Sequence, residues 1–368
     1  MACIICLAIK SLTVQFEIIM KICYIAGREA SYSRTHNILT ALRNGGFEVE
    51  TCLPPDKSFR HYPRLLWEFL RKKCGCDLIV VGFYGQLLMP FVRLFTRKPI
   101  LFDVYISTFG TMVNDREAAS STSWKAKLYW LFDHLSMRFA DRIILETNDH
   151  ILGYERDYRV SRQKFEQMFL VTDDSVIYPR PAQNSNGKFL VHFHGEYAPF
   201  HGVQYIFRAA KLLENENVHF QIIGKGITYE RDRKLADELQ LKNITFIDWV
   251  PYKELADYMS RAEACLGFFG ENPRALRVLT NKVIETIAVK RPLISTKNAP
   301  VQELLKDGES ALLIERANPV ALADAIRQLK NDSALRHRIA ENGYQVFLKN
   351  CTQQVFAARL KKIIQEMV

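Results

Sequence analysis

The chain has 368 residues, a length that fits two ordinary domains better than one core. Apolar residues make up 48% of it, which excludes a disordered or fibrous chain. The net charge of +10 is spread evenly over both halves, which argues against a nucleic-acid binder and leaves anionic small molecules or anionic lipid as partners.

Residues 1–20, MACIICLAIKSLTVQFEIIM, form a short apolar leader broken by Lys10, Gln15 and Glu17. No basic stretch precedes it and no clean run of ~18 apolar residues follows. Residues 1–19 are therefore expected to be an extension ahead of the first strand, not a signal anchor. Cys3 and Cys6 make a CxxC, but no second CxxC or Cys/His cluster completes a metal site, so free thiols in a reducing cytoplasm are expected.

From Lys21 onward the pattern alternates strand and helix. Short β-branched runs lie at 21–26, 47–53, 77–82, 99–104 and 142–146, with a helix from about Tyr32 to Asn44 that stops at Gly45 and Gly46. This is a parallel sheet with helices on both faces, assigned to a domain over 20–180. GREASYSR (27–34) follows the first strand, so Arg28 and Arg34 either meet phosphates or an acidic acceptor, or are solvated. Asp115 and Arg116 either border an acceptor site or form a loop ion pair. KSFRHYPRLLWEFLRKK (57–73) and LLMPFVRLFTRK (87–98) mix apolar and basic residues. They either pack on the sheet with solvated outer faces or touch anionic lipid.

A polar, Pro-bearing linker, VIYPRPAQNSNGK (176–188), precedes a second set of runs at 189–193, 218–224, 244–248, 264–268, 292–295 and 311–314. These define a domain over 181–350, followed by a terminal helix over 351–368. Two such sheets leave a cleft between their strand C-termini, where open α/β sheets bind ligands.

Three segments face that cleft. In HFHGEYAPFHGVQYIFRAAKLL (192–213) a strand gives way to Gly195, a loop, and a helix entered at His201 and Gly202, whose N-terminus suits an anion. Gly224-Lys225-Gly226 ends the next strand; taken alone it is a tight turn. In GFFGENPRALRVLTNKVIETIAVKRPLIS (267–295) a loop with Gly270 leads to a helix expected to start near Pro273, with Arg274, Arg277 and Lys282 in its N-terminal half and Glu285 a turn later. Cations there oppose the helix dipole, a penalty that a bound diphosphate offsets. The plainer alternative is an exposed helix with a Lys282–Glu285 pair.

The second half is similar to the C-terminal domain of retaining GT-B glycosyltransferases of the glycosyltransferase family 4 type. FQIIGKG, ITFIDWVPYKELADYMSRAEACLGFFG, NKVIETIAVKRPLIST and VQELLKDGESALLI appear in family order and spacing. MRFADRIILET (137–147) and VTDDSVIYPR (171–180) resemble its N-domain and interdomain junction, so the likeness covers about 20–350. It implies two Rossmann-like parallel-sheet domains facing each other across a cleft, a nucleotide-diphosphate sugar as donor, no obligatory metal or cofactor, and retention of anomeric configuration. It further implies a glycan, lipid-linked or other hydroxyl acceptor. With the apolar–basic stretches above, the expected place is the cytoplasm, with contact at the inner face of the membrane as the sharper alternative. Gly195 matches the glycine of the diphosphate loop, and Glu285 matches the glutamate that holds the donor ribose. Four positions depart from the family pattern. Glu196 and His201 replace the Arg and Lys that grip the diphosphate, Arg277 replaces a first glutamate, and Asp103 replaces a histidine facing the reacting sugar. Either the cation set has moved to Arg274, Arg277 and Lys282, or the chain is a noncatalytic partner subunit. Sugar-nucleotide epimerases and glycoside phosphorylases of the same fold also remain open.

Overall fold

The computed structural model describes residues 19–116, 118–181 and 187–368. The expected extension, except Ile19, and residues 182–186 of the polar linker lie outside the described residues.

In the first domain β1 (Lys21–Ile25), β2 (Glu48–Cys52), β3 (Leu78–Val81), β4 (Ile100–Asp103), β5 (Arg142–Leu145) and β6 (Phe165–Gln167) pair in parallel, in the order β2-β1-β3-β4-β5-β6. The inner runs β1, β3, β4 and β5 are largely apolar on both faces because helices cover both. On one side lie α2 (Tyr62–Lys72), α3 (Met89–Leu94), α4 (Trp124–Phe139) and α5 (Asn148–Tyr158), which pack Phe69, Val92, Met137 and Ile151 onto the sheet. The other side carries α1 (Ser33–Asn44). Ser123 and Thr147 cap α4 and α5 by accepting from the N–H groups of Ala126 and His150, so each crossover returns promptly to the sheet.

The second domain repeats the plan. β7 (Phe189–His194), β8 (Val218–Ile223), β9 (Ile244–Ile247), β10 (Ala264–Leu266), β11 (Leu293–Thr296) and β12 (Leu312–Ile314) pair in the order β12-β11-β10-β7-β8-β9, again all parallel. α6 (Val203–Leu212) and α7 (Tyr229–Glu238) lie on one face, with α8 (Tyr252–Ser260), α9 (Asn281–Ala288) and α10 (Ala299–Leu304) on the other. α11 (Pro319–Asn331) and α12 (Ser333–Asn350) complete the layer. α13 (Gln353–Gln365) then leaves the second domain and packs Phe356, Leu360 and Ile364 beside Ile38 and Leu42 of α1. The terminal helix thus straps the two domains together. Crossovers leave β7 toward β8 on one side and return to β10 on the other, so the end of β7 is the point where ligands settle in open α/β sheets.

Eleven of the twelve strands coincide with the expected runs; β6, an edge strand of three residues, was not anticipated. One expectation is corrected. No helix starts at Pro273. Pro273–Leu276 is a single 3₁₀ turn and the helix begins at Asn281. Across the break, Asn298 Nδ2 donates to the carbonyls of Ala275 (2.8 Å) and Val278 (3.0 Å), satisfying acceptors that the interrupted segment leaves without helical partners.

Candidate functional site

β7 ends at Gly195, where φ is +138°, and the neighbouring β8 ends at Gly224, where φ is +129°. The two ends touch so closely that a Cβ on Gly224 would meet the Gly195 carbonyl at 2.0 Å. Only glycine fits such a pair. Gly226 and Gly270 serve similar close approaches, against the backbone of Tyr197 and of Phe200. These glycines shape the loops that face the cleft.

Beneath the Gly195 loop stands Lys282, in the first turn of α9. A Cβ on Gly195 would lie 2.8 Å from Lys282 Nζ, so the missing side chain makes room for the amine. The amine is buried, has no hydrogen-bond partner, and rests 4.4 Å from the centre of the Phe193 ring. Burial lowers its pKa to about 7, against opposing pulls from Glu285 and Glu196. A buried ammonium without an anion is an incomplete arrangement. The exposed-pair alternative for Lys282 and Glu285 is excluded, since both side chains are buried.

Glu285 lies on the same helix and is held on both oxygens. His194 Nε2 sits 2.9 Å from Oε2, and the Tyr252 hydroxyl donates to Oε1 at 3.2 Å. His194 Nδ1 in turn lies 3.0 Å from His192 Nε2, and Gln221 Nε2 lies 2.8 Å from His192 Nδ1. None of His192, His194, Gln221 or Tyr252 was anticipated. A period-2 signal was available: in FLVHFHG the two histidines alternate, which puts both on one sheet face.

The remaining candidates fall elsewhere. His201 is buried, and its Nδ1 donates to the Glu196 carbonyl; burial beside Lys282 pushes its pKa well below the usual imidazole value, so it supplies no cation. Glu196 is exposed toward the cleft. Arg274 pairs with the buried Asp115 (2.6 Å) and lies over the Phe200 ring, while Asn272 makes a second contact to Asp115 at 3.2 Å. Arg277 reaches away to Asp157 of α5 (2.8 Å). Both arginines therefore act as ties between domains in this structure and do not line the Gly195 loop. The reason is the broken helix: Arg277 belongs to the turn ahead of α9 and not to its N-terminal half.

In the first domain Asp103 is 0% exposed and is clasped by the buried Arg34 through three contacts of 2.6–3.2 Å. Arg34 is thus not solvated, and Asp103 does not open onto the cleft. Arg28 stacks 4.1 Å over Tyr32 and pairs with Glu29. Arg116 is exposed; Asp115 pairs across the domains and not with it.

Between the domains lies a cavity of about 620 Å³, within the range of small-molecule sites. Its walls include Phe109, Trp130, Asp149, His150, Asp157 and Arg277. His150 Nδ1 rests 2.7 Å from the buried Glu146 carboxylate. Among the described residues no group of three His, Cys, Asp or Glu is placed to hold a metal ion.

Residues 178–346 match the family model described as glycosyl transferases group 1. That match runs from just ahead of β7 into α12, through most of the second domain. An uncharacterized glycosyltransferase of Methanocaldococcus jannaschii is 26% identical over 175 residues, 48% of this chain and 47% of that protein. The lipopolysaccharide core biosynthesis glycosyltransferase LpsE of Rhizobium meliloti is 25% identical over 202 residues, 54% of each chain. The chain thus spans about half the length of the curated relatives it matches. Anabaena HepE, solved with UDP and glucose, superposes with a TM-score of 0.74 at 13% identity, covering 94% of this chain and 99% of that one. The sucrose-phosphate synthase of Thermosynechococcus elongatus gives 0.74 at 16%, covering 95% and 99%. The chain has the two-domain GT-B fold of these structures, as its two facing parallel sheets require.

Proposed function

We propose that this chain is a glycosyltransferase that moves a sugar from a nucleotide-diphosphate sugar to a hydroxyl acceptor, with retention of anomeric configuration. One observation carries the reading: a buried, unpartnered Lys282 amine beneath the Gly195 loop, with Glu285 one turn further along α9. In this reading the amine meets the diphosphate and the carboxylate the ribose. The group 1 match, and HepE solved with UDP and glucose, support the same assignment.

In the reaction the anomeric C–O bond breaks with oxocarbenium character, as in glycoside hydrolysis, and the diphosphate leaves with growing negative charge. The acceptor oxygen bonds to the anomeric carbon, and its proton departs on the diphosphate. Lys282 and the N-terminus of α6 stabilise that charge in a site shielded from water. The interdomain cavity, with its aromatic and carboxylate walls, is assigned to the acceptor.

The acceptor is a glycan or a lipid-linked hydroxyl. The outer face of the α2–α5 layer supports a membrane-borne acceptor at an anionic leaflet: Trp67, Phe91, Leu94 and Trp124 are exposed there, 73% for Leu94, among the exposed Arg60, Arg71 and Arg97. Among the described residues no helix is long and apolar enough to cross a membrane.

The test is a thermal-shift panel of UDP, GDP, ADP and dTDP, since a ligand bound only by the native state raises apparent stability. At least one is expected to stabilise the chain, and its sugar conjugate to be consumed only when acceptor is present. Failure of all four to bind would sink the reading. Consumption without acceptor, giving an altered sugar nucleotide, would point to an epimerase instead.

A further inference from the structure

We propose that His194 is the positioning residue for Glu285, and that the buried chain Gln221–His192–His194 fixes the direction in which its hydrogen bonds run, toward the carboxylate. The proposal rests on the nucleotide reading of the site above.

The direction follows from one end of the chain. Gln221 Nε2 contacts the Tyr258 carbonyl at 3.4 Å, and only the amide NH₂, not its oxygen, can face a carbonyl. The same NH₂ faces His192 Nδ1, which must then be an acceptor. A neutral imidazole with an acceptor Nδ1 carries its proton on Nε2. His192 Nε2–H therefore donates to His194 Nδ1, and His194 Nε2–H donates to Glu285 Oε2. Every step is buried, and β-sheet register supports it, since His192 and Gln221 are direct partners across β7 and β8.

On the other side Tyr252 donates to Glu285 Oε1, and its own oxygen lies 2.7 Å from Thr172 Oγ1. Each carboxylate oxygen thus receives one protein hydrogen bond and keeps one lone pair. Two lone pairs remain for two vicinal hydroxyls. A freely turning carboxylate would have to be ordered on binding; this one is ordered beforehand.

The polarity of the chain is what a merely space-filling role would not need. Gln221 touches neither Glu285 nor the Gly195 loop, so changing it tests direction alone. In Gln221→Glu the carboxylate only accepts. His192 must then carry its proton on Nδ1, His194 Nδ1 must donate to His192, and an unprotonated His194 Nε2 faces Glu285. The contact to Glu285 becomes repulsive unless the imidazole pair takes up a proton. The groups that face this pair are Lys282 and Glu285 on α9, His201 on the loop after β7, and Tyr252 through Glu285. Gln221→Met removes the first hydrogen bond without reversing the rest.

The experiment has two readouts on the full chain. Nitrogen-15 spectra of labelled histidines should show His192 and His194 with the proton on Nε2, and Gln221→Glu should move it to Nδ1 of His192 or leave the pair doubly protonated. Binding of the tightest nucleoside diphosphate of the panel, at pH 8, should weaken roughly tenfold or more in Gln221→Glu and in His194→Phe, but only roughly threefold in Gln221→Met. His194→Gln, whose amide both accepts and donates, should recover part of the loss. Nδ1–H tautomers in the wild type, or equal affinities for Gln221→Glu and Gln221→Met, would overturn the proposal while leaving the nucleotide reading intact. A wild type that binds none of the four nucleotides sinks the nucleotide reading, and this proposal with it.

Discussion

Lys282 gives the most quantitative prediction, because its amine is buried without a hydrogen-bond partner and is expected to be paired with the ligand's charge. Burial holds its pKa at about 7. A diphosphate beside it favours the charged form and should restore a value above ~10. Binding must then take up a proton at any pH between the two. With a pKa near 7, the charged fraction of the free site falls from about a quarter at pH 7.5 to about one part in a hundred at pH 9. Affinity should fall roughly twentyfold over that interval, and at pH 8 each bound nucleotide should carry in about 0.9 proton. Titration calorimetry in two buffers of different ionisation enthalpy reads the uptake directly. Lys282→Met should bind more weakly at pH 7.5, without proton uptake and with a flat profile. The ligand-free chain carries the opposite sign. A base whose folded pKa is depressed imposes a penalty that is full below pH 7 and fades as pH rises toward 10.5, so Lys282→Met should melt higher than the wild type at pH 6–7 and lose that advantage near pH 10.5. Equal proton uptake by wild type and Lys282→Met, or a pH-independent wild-type affinity, would refute the placement of the diphosphate.

Four further outcomes follow. Glu285→Gln should weaken nucleotide binding by about 1–3 kcal/mol, the range for a lost charged hydrogen bond, as measured by calorimetry; the fold should persist. Arg277→Ala should change nucleotide affinity by less than about threefold, because its partner is Asp157; a loss near 10²-fold in turnover at unchanged acceptor affinity would return it to the leaving group. Asp103→Asn should cost about 3–5 kcal/mol in urea unfolding, since it strands the buried Arg34. Reversing the exposed Arg60, Arg71 and Arg97 should release the chain from acidic vesicles, at about 1 kcal/mol per lost contact; equal binding to neutral vesicles would count against an anionic-leaflet site.

The parallel sheets were legible because doubly covered strands read as unbroken apolar runs, and KICYI or LIVV admits little else. The edge strand β6, with the sequence FEQ, carries no such signal. The site was legible where glycine reports backbone geometry, as at Gly195 and Gly224. It was not legible where charge pairs across long separations. Arg34 and Asp103 are 69 residues apart, and nothing in either neighbourhood shows that one clasps the other. The false helix start had a different cause. Pro273 is a proper first helical residue, and Asn272 does cap the turn through the Ala275 N–H. Past the turn, Asn298, a residue far along the chain, satisfies two carbonyls of the segment. The local start signal yields a single 3₁₀ turn, and the partners that hold the segment beyond it come from a distant side chain.

That break decides which cation reaches the loop. Had a helix run on from Pro273, Arg274, Arg277 and Lys282 would share one element, and all three would be candidates for the same anion. With the helix restarted at Asn281, the two arginines remain on a turn directed at the first domain, where Asp115 and Asp157 meet them. Lys282 alone enters α9 in its first turn and points under Gly195. The loop itself offers no cation at these two positions, since Glu196 is acidic and His201 is neutral and spent on a carbonyl. On the proposed reading, the buried Lys282 is the cation left to meet the diphosphate at this loop. The same charge acts more strongly where water is excluded. The cost is a depressed pKa, which is why the pH profile of nucleotide binding, more than the loss of any arginine, should distinguish this site.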